Sequence, residues 1–245
     1  MGIVFFLELL RKSMDKRAVT DKIVVFLKEN FQSEPTGHDW YHFERVWRMA
    51  KFLQSKEGLP RRRLGKAGGN LFLIELAALL HDLDDWKLND NQNEKDKSRT
   101  KKLLDELNVD KSTQEKVIRI IKQVSFKGEG EDDQVDSIEA AIVQDADRLD
   151  AIGAIGIGRV FAVGAEIRNR PIYDPEIKPE KNKNFKEFKK VKETSISHFH
   201  EKVLLLKGRL NTKTAKKIAK PRHGFVEEFL KQFLKEWDLK DLDEI

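Results

Sequence analysis

Two imidazoles and a group of carboxylates fall on helical faces that otherwise read as buried. His81 and Asp82 close an apolar run, LFLIELAALLHDLDDW (71–86), in which Glu75 alone interrupts the ten residues before the histidine. His42 precedes Val46 by four residues and so shares the apolar face of HDWYHFERVWRMAKFL. A third stretch, VDSIEAAIVQDADRLDA (135–151), carries Asp147 into an apolar face together with Asp145 and Asp150. Burying unpaired ionisable groups costs on the order of several kcal/mol, so something must compensate them. A divalent cation does so, because imidazole and carboxylate are both ligands. His42, His81, Asp82 and Asp147 would make a neutral site of two nitrogen and two carboxylate donors. Such a set suits Mn, Fe, Co, Ni or Zn better than an all-oxygen calcium site.

Other residues could act beside such a cation. Asp85 lies three residues after Asp82 and four after His81, so a helix continued through Trp86 puts it on the ligand face. Alternatively, Asp84 and Asp85 solvate a helix end. Arg45, Lys87, Lys127 and Arg148 are candidates for phosphate oxygens, although Arg148 could pair with a neighbouring acid instead. His38, four residues before His42, suits a helix start or a supporting position. His198, His200 and His223 read as surface or packing residues. The glycines at 153, 156 and 158 follow no strand and give GxxGxG, which fits close helix packing rather than a dinucleotide fingerprint.

The elements that must hold these groups are helical. Apolar residues recur at three- and four-residue steps over 19–31, about 39–57, 71–82, 98–108, 112–124, 135–151, 152–167, 196–206 and 212–237. Ser112 with Glu115 suggests a capping box. No run of strands competes, and the expected fold is all-α in a single domain. The basic segment 58–70 reads as a solvated loop. The long irregular stretch 168–194 reads as a lid or binding flap. Residues 1–13 read as an additional first helix, or as sequence upstream of a start at Met14.

Composition narrows the function classes. The 245 residues carry 47 basic and 42 acidic side chains, a net charge of +5 that permits nucleotide partners. That near balance argues against nucleic acid as the main partner. Absence of cysteine removes thiol catalysis, disulfides and thiolate metal sites, and fits a reducing, cytoplasmic setting. No apolar run reaches the roughly 18 residues that span a bilayer, so no membrane partner is expected.

His42, the pair His81-Asp82, and Asp147 within QDADRLDAIG resemble the H…HD…D signature of the HD superfamily of metal-dependent phosphohydrolases. HDWYHFERVWR, ELAALLHDLDDWK, VSFKG, IVQDADRLDAIGAIGIGR, PIYDPE and TAKKIAKPRHGFVEEFL extend the resemblance over about residues 20–238, toward small bacterial HD proteins that act as nucleotide pyrophosphatases. It implies an all-α bundle with a central metal, and selects Asp147 over Asp145 and Asp150 as ligand. It also implies an acidic residue at Asp85 handling the water or leaving-group proton; beside it, Arg45, Lys87 and Lys127 would neutralise charge on the phosphates. The implied reaction splits a (deoxy)nucleoside triphosphate into monophosphate and pyrophosphate, with one Mn2+ ion preferred over Fe, Co, Ni, Zn or Mg. A homodimer is compatible with this reading, and the nucleobase stays open. Competing readings are a 5′-nucleotidase and a non-catalytic metal or nucleotide sensor. Two departures stand out: the basic loop at 60–69 is longer than usual in these proteins, and residues 1–13 have no counterpart.

Overall fold

In chain order the helices are α1 (Lys16–Phe31), α2 (Trp40–Glu57), α3 (Leu71–Leu80), α4 (Ser98–Glu106), α5 (Lys111–Ile121), α6 (Ile138–Asp150), α7 (Gly153–Glu166), α8 (Ser195–Glu201) and α9 (Lys213–Trp237). A 3-10 segment, Val203–Arg209, links the last two. This computed structural model describes residues 15–35, 37–57, 69–84, 98–125, 135–166, 169–180 and 193–242. No strand occurs among the described residues, and none of their helices is long and apolar enough to cross a membrane. The fold is all-α, as the periodicity predicts.

α3 lies at the centre because it is apolar almost all round, and such a helix must be enclosed on every side. Residues 72–74 and 76–80 are buried, and Asn70 caps the N-terminus by accepting from Phe72 N–H. α2 and α6 pack on α3 and on each other, and α1 and α5 add to the wall around it. The core joins Ile23 and Leu27 of α1 and Phe43, Val46 and Leu53 of α2. Ile74 and Leu76 to Leu80 of α3 and Ile142, Val143 and Leu149 of α6 complete it. Each fully buried side chain of this size contributes about 1.5–3 kcal/mol through its removal from water. α7, α8 and α9 form the far side, with α9 also touching α2 and α6.

The boundaries follow the sequence reading in part. α3 ends at Leu80 with His81 as its C-cap, close to the expected end at His81-Asp82. His81 keeps helical φ/ψ, but Leu83 N–H turns back to Leu80 C=O at 3.2 Å, a tightened last turn. α5 begins under the carboxylate of Asp110, which accepts from Thr113 N–H. Ser112 is therefore inside the helix and forms no cap, because an acceptor two residues earlier captures the exposed N–H groups. The chain breaks between α6 and α7 at Gly153, whose φ of 81° favours glycine. At Gly156 a Cβ would lie 2.3 Å from Ala151 O and at Gly153 3.1 Å from Arg222 Cβ, so close packing accounts for these two, whereas Gly158 is exposed with nothing within 4 Å. Trp237, at the end of α9, is half exposed and packs edge-on against Tyr173 at 4.9 Å.

Two buried polar groups tie distant segments together. The fully buried Asp145 carboxylate accepts from Asn211 N–H (2.8 Å), Asn211 Nδ2 (2.9 Å) and Thr212 N–H (2.7 Å), at the entry to α9. On the other side, Glu193 bridges Arg170 and His198 Nδ1. Beside that bridge, Ser195 and Ile196 N–H donate to Pro171 and Ile172 C=O, so the stems of the 169–193 stretch are clasped.

Asp145→Ala strands three donors in the interior and is expected to destabilise the protein by about 2–4 kcal/mol in urea unfolding. Acid is expected to loosen the clasp. Burial and the nearby Arg170 hold His198 down at about 4 despite Glu193, and Glu193 itself, though burial opposes its charge, is held at about 2 by His198 and Arg170. As pH falls from about 6.5 to 4 the unfolded histidine takes a proton that the folded one refuses, and below about 4.5 the same applies to Glu193. Stability should therefore fall steadily from pH 7 to pH 4, measured by thermal melting in buffers of equal ionic strength.

Candidate metal centre

The chain turns sharply where α3 ends, and that turn is held from outside. Asp84 accepts from Arg99 N–H (2.9 Å), Thr100 N–H (3.1 Å) and Thr100 Oγ1 (2.5 Å), which caps the start of α4. With Leu83 buried beneath and Asp84 fixed above, His81 and Asp82 are held at the edge of the core. His42 comes from the first turn of α2, its own N–H bonded to Asp39 Oδ1 at 2.9 Å. Asp147 and Asp150 lie one turn apart on α6 and so share a face.

Four side-chain atoms converge. His42 Nε2 lies 3.2 Å from His81 Nε2, 3.3 Å from Asp82 Oδ2 and 3.8 Å from Asp147 Oδ1. His81 Nε2 lies 3.4 Å from Asp82 Oδ2 and 3.6 Å from Asp147 Oδ1. His42, His81 and Asp82 form the tightest group, with ligand atoms all within 4.8 Å of one another. The imidazoles are closed off from solvent, whereas Asp82 is 16% and Asp147 27% exposed, so the cluster opens on its carboxylate side.

The second nitrogen of each ring decides what the facing nitrogens can do. His81 Nδ1 lies 2.9 Å from Ala78 C=O, and His42 Nδ1 lies 2.8 Å from Asp150 Oδ2. Both partners are acceptors, so each Nδ1 carries the hydrogen. In neutral rings both Nε2 atoms then present lone pairs to one another across 3.2 Å. Such an arrangement needs a positive species between the rings. A proton is one solution: burial opposes charge on His81, yet Asp82 and Asp147 hold its pKa well above the usual histidine value. Burial likewise opposes ionisation of Asp82, but His81 and His42 hold it well below the carboxylate range, and Asp147 is lowered in the same way by His81.

A divalent cation is the other solution, and the donor set fits it. Donors about 2.1 Å from one cation stand about 3.0–3.4 Å apart at octahedral or tetrahedral angles. The spacings among His42, His81 and Asp82 fall in that range. Two imidazoles and two carboxylates match a borderline transition-metal ion in charge and softness.

Asp150 is more than a bystander. Besides His42 it accepts from Arg45 Nε (2.6 Å), Arg45 Nη2 (3.1 Å) and Arg159 Nη1 (3.0 Å). Burial opposes its charge, but His42, Arg45 and Arg159 hold its pKa far below the ordinary value. Arg45, expected near the phosphates, thus stands one residue from the cluster, with a side chain 35% exposed. Arg148, also expected there, is not brought to the cluster. It is buried and its guanidinium donates to Arg209 C=O, because it projects from α6 toward the 3-10 segment. His38 is buried beside His42, ring centroids 5.9 Å apart, at the start of α2. Asp85, Lys87 and Lys127 lie outside the described residues. Arg159 closes the stretch IVQDADRLDAIGAIGIGR, but nothing in its spacing marked it as a partner of the site, because it reaches Asp150 only through the fold.

The profile of the HD domain matches residues 39–152, the span from the start of α2 to the end of α6 that contains every residue of the cluster. Bacillus subtilis YpgQ is 35% identical over 220 residues, which cover 88% of this chain and 92% of that protein. A solved structure from Lactobacillus plantarum superposes with a TM-score of 0.78 at 33% identity, covering 91% of this chain and 98% of its own. An HD-superfamily hydrolase from Bacillus thuringiensis is 38% identical over 91% of this chain and 98% of its own, TM-score 0.63. YpgQ solved in complex with ADP covers 89% of this chain and 97% of its own at 33% identity, TM-score 0.64. Through the matched profile, these full-length relatives and the two facing histidines, the chain belongs to the HD superfamily of metal-dependent phosphohydrolases.

Proposed function

We propose that this protein hydrolyses (deoxy)nucleoside triphosphates to monophosphate and pyrophosphate, with one divalent cation, Mn2+ by preference, held by His42, His81, Asp82 and Asp147. The observation that carries this reading is the pair of imidazole Nε2 atoms facing each other at 3.2 Å, with carboxylates completing the set. YpgQ in complex with ADP supports a nucleotide ligand for the related chain here.

A divalent cation bound to this set would supply an activated water and polarise a phosphoryl oxygen. The protein's own residues do the remaining work. His42 and His81, locked by their Nδ1 partners, cannot rotate away, so the donor set needs no rearrangement. The open side at Asp82 and Asp147 is where a phosphate chain can approach. Arg45 borders that set and offers a charge-assisted donor to equatorial phosphate oxygens as negative charge grows there. Asp85 is assigned the proton of the water or leaving group, and Lys87 and Lys127 the leaving diphosphate, on the sequence alone.

With Mn2+ present, triphosphates should yield one pyrophosphate per monophosphate, and chelation should stop turnover until Mn2+ is restored. Asp82→Ala should leave a folded protein with activity below about 1% of wild type. Wild-type turnover by that variant would remove the site assignment. Inorganic phosphate released from monophosphates would point to a 5′-nucleotidase instead. Metal-loaded protein silent toward every nucleotide would point to a sensor.

A further inference from the structure

Among the described residues, Asp150 is the one carboxylate that touches both a histidine of the cluster and the cations beside it. Its side chain is 6% exposed, and its two oxygens accept four hydrogen bonds. An ionised carboxylate can only accept, so it dictates that His42 Nδ1 carries the hydrogen and that Nε2 faces His81. His81 is set by the neutral carbonyl of Ala78, so its ring needs no second charge. Asp150 therefore does for His42 what a backbone carbonyl does for His81, while gathering two guanidiniums as well.

The arginines lie on opposite sides of this carboxylate in sequence, Arg45 on α2 and Arg159 on α7. Arg159 reaches Asp150 along Gly37, where φ is 79° and an added Cβ would stand 2.8 Å from Arg159 Cγ. The backbone before α2 thus leaves room for that side chain. Two guanidiniums on one carboxylate leave a net positive charge at the edge of the histidine cluster. Each also keeps N–H groups not used by Asp150, in the fixed planar geometry that suits phosphate oxygens.

We propose that Asp150 is the positioning residue of this site: it fixes the His42 tautomer and seats Arg45 and Arg159 as a paired cation for the phosphates of a nucleotide. This rests on the metal-dependent reading above. Through Asp150, the ring that faces the cation and the groups that face the phosphates are set by one carboxylate. A shift in either would be felt by the other.

The test uses the full chain. Mn2+ binding by metal-free wild type, Asp150→Asn and Asp150→Glu is measured by titration calorimetry, with helix content and melting temperature followed in parallel. The Asn variant keeps the shape but places an amide donor against donors. It should bind Mn2+ about 10–100-fold more weakly at unchanged helix content, and the Glu variant should recover part of the loss. Arg159→Ala should keep Mn2+ affinity within about twofold. It should raise the KM for a nucleoside triphosphate about tenfold with little change in kcat, the worth of one charge-assisted hydrogen bond. Should Asp150→Asn fail to fold, nitrogen NMR of labelled histidine in Zn2+-loaded wild type decides the matter, since the chain has only six histidines. A His42 ring with hydrogen on Nδ1 supports the proposal, and hydrogen on Nε2 overturns it. Folded Asp150→Asn with wild-type Mn2+ affinity overturns it too. Wild type that binds neither Mn2+ nor Zn2+ overturns the metal-dependent reading itself.

Discussion

Two imidazole nitrogens held face to face in a protein core repel one another unless a positive species lies between them, and the structure around His42 and His81 fixes them in that pose. Each ring has its other nitrogen committed, one to Ala78 C=O and one to Asp150, so neither can turn. Each is closed off from water, so no solvent relieves the strain. Negative charge from Asp82 and Asp147 then makes a positive species the natural occupant of the gap. The packing of α2, α3 and α6 serves this arrangement: a three-helix contact brings His42, His81 and Asp147, which are 39, 66 and 105 positions apart, onto one point. Asp84 closes it by trading the last turn of α3 for the first turn of α4.

α6 shows how one helix divides carboxylates among different tasks. Successive residues advance by about 100°, so Asp145 and Asp147, two apart, face nearly opposite ways, whereas Asp147 and Asp150 share a face. Asp147 reaches the histidines, Asp150 holds a histidine and two arginines, and Asp145 receives the N–H groups that lead into α9. All three stay acceptable in the interior because each has donors or positive charge within reach. Arg148, between them in sequence, is turned toward Arg209 by the same geometry.

Periodicity made much of this legible beforehand. The run 71–80 could only be a buried helix, and a histidine and an aspartate at its end had to be compensated. His42 is four residues from Val46, and Asp147 follows an apolar face, so helical spacing alone placed each beside the core. The resemblance to the HD signature then chose among Asp145, Asp147 and Asp150. What stayed hidden depended on partners far along the chain. Asp84 captures the N-terminus of a helix that starts at residue 98, and no local pattern around the HDLD turn reveals that. Arg159 comes from a separate helix and meets Asp150 only after folding. Arg148 misled for the converse reason: an arginine between two acidic residues looks available for phosphate until burial assigns it to a carbonyl.

The measurement that bears most directly on the facing histidines is a crystal structure of the protein grown with Mn2+ and measured near the manganese absorption edge. The account predicts one anomalous peak about 2.1 Å from both His42 Nε2 and His81 Nε2, with Asp82 and Asp147 completing the contacts. A map with no peak there, the two rings still facing each other across an empty gap at saturating Mn2+, would contradict it.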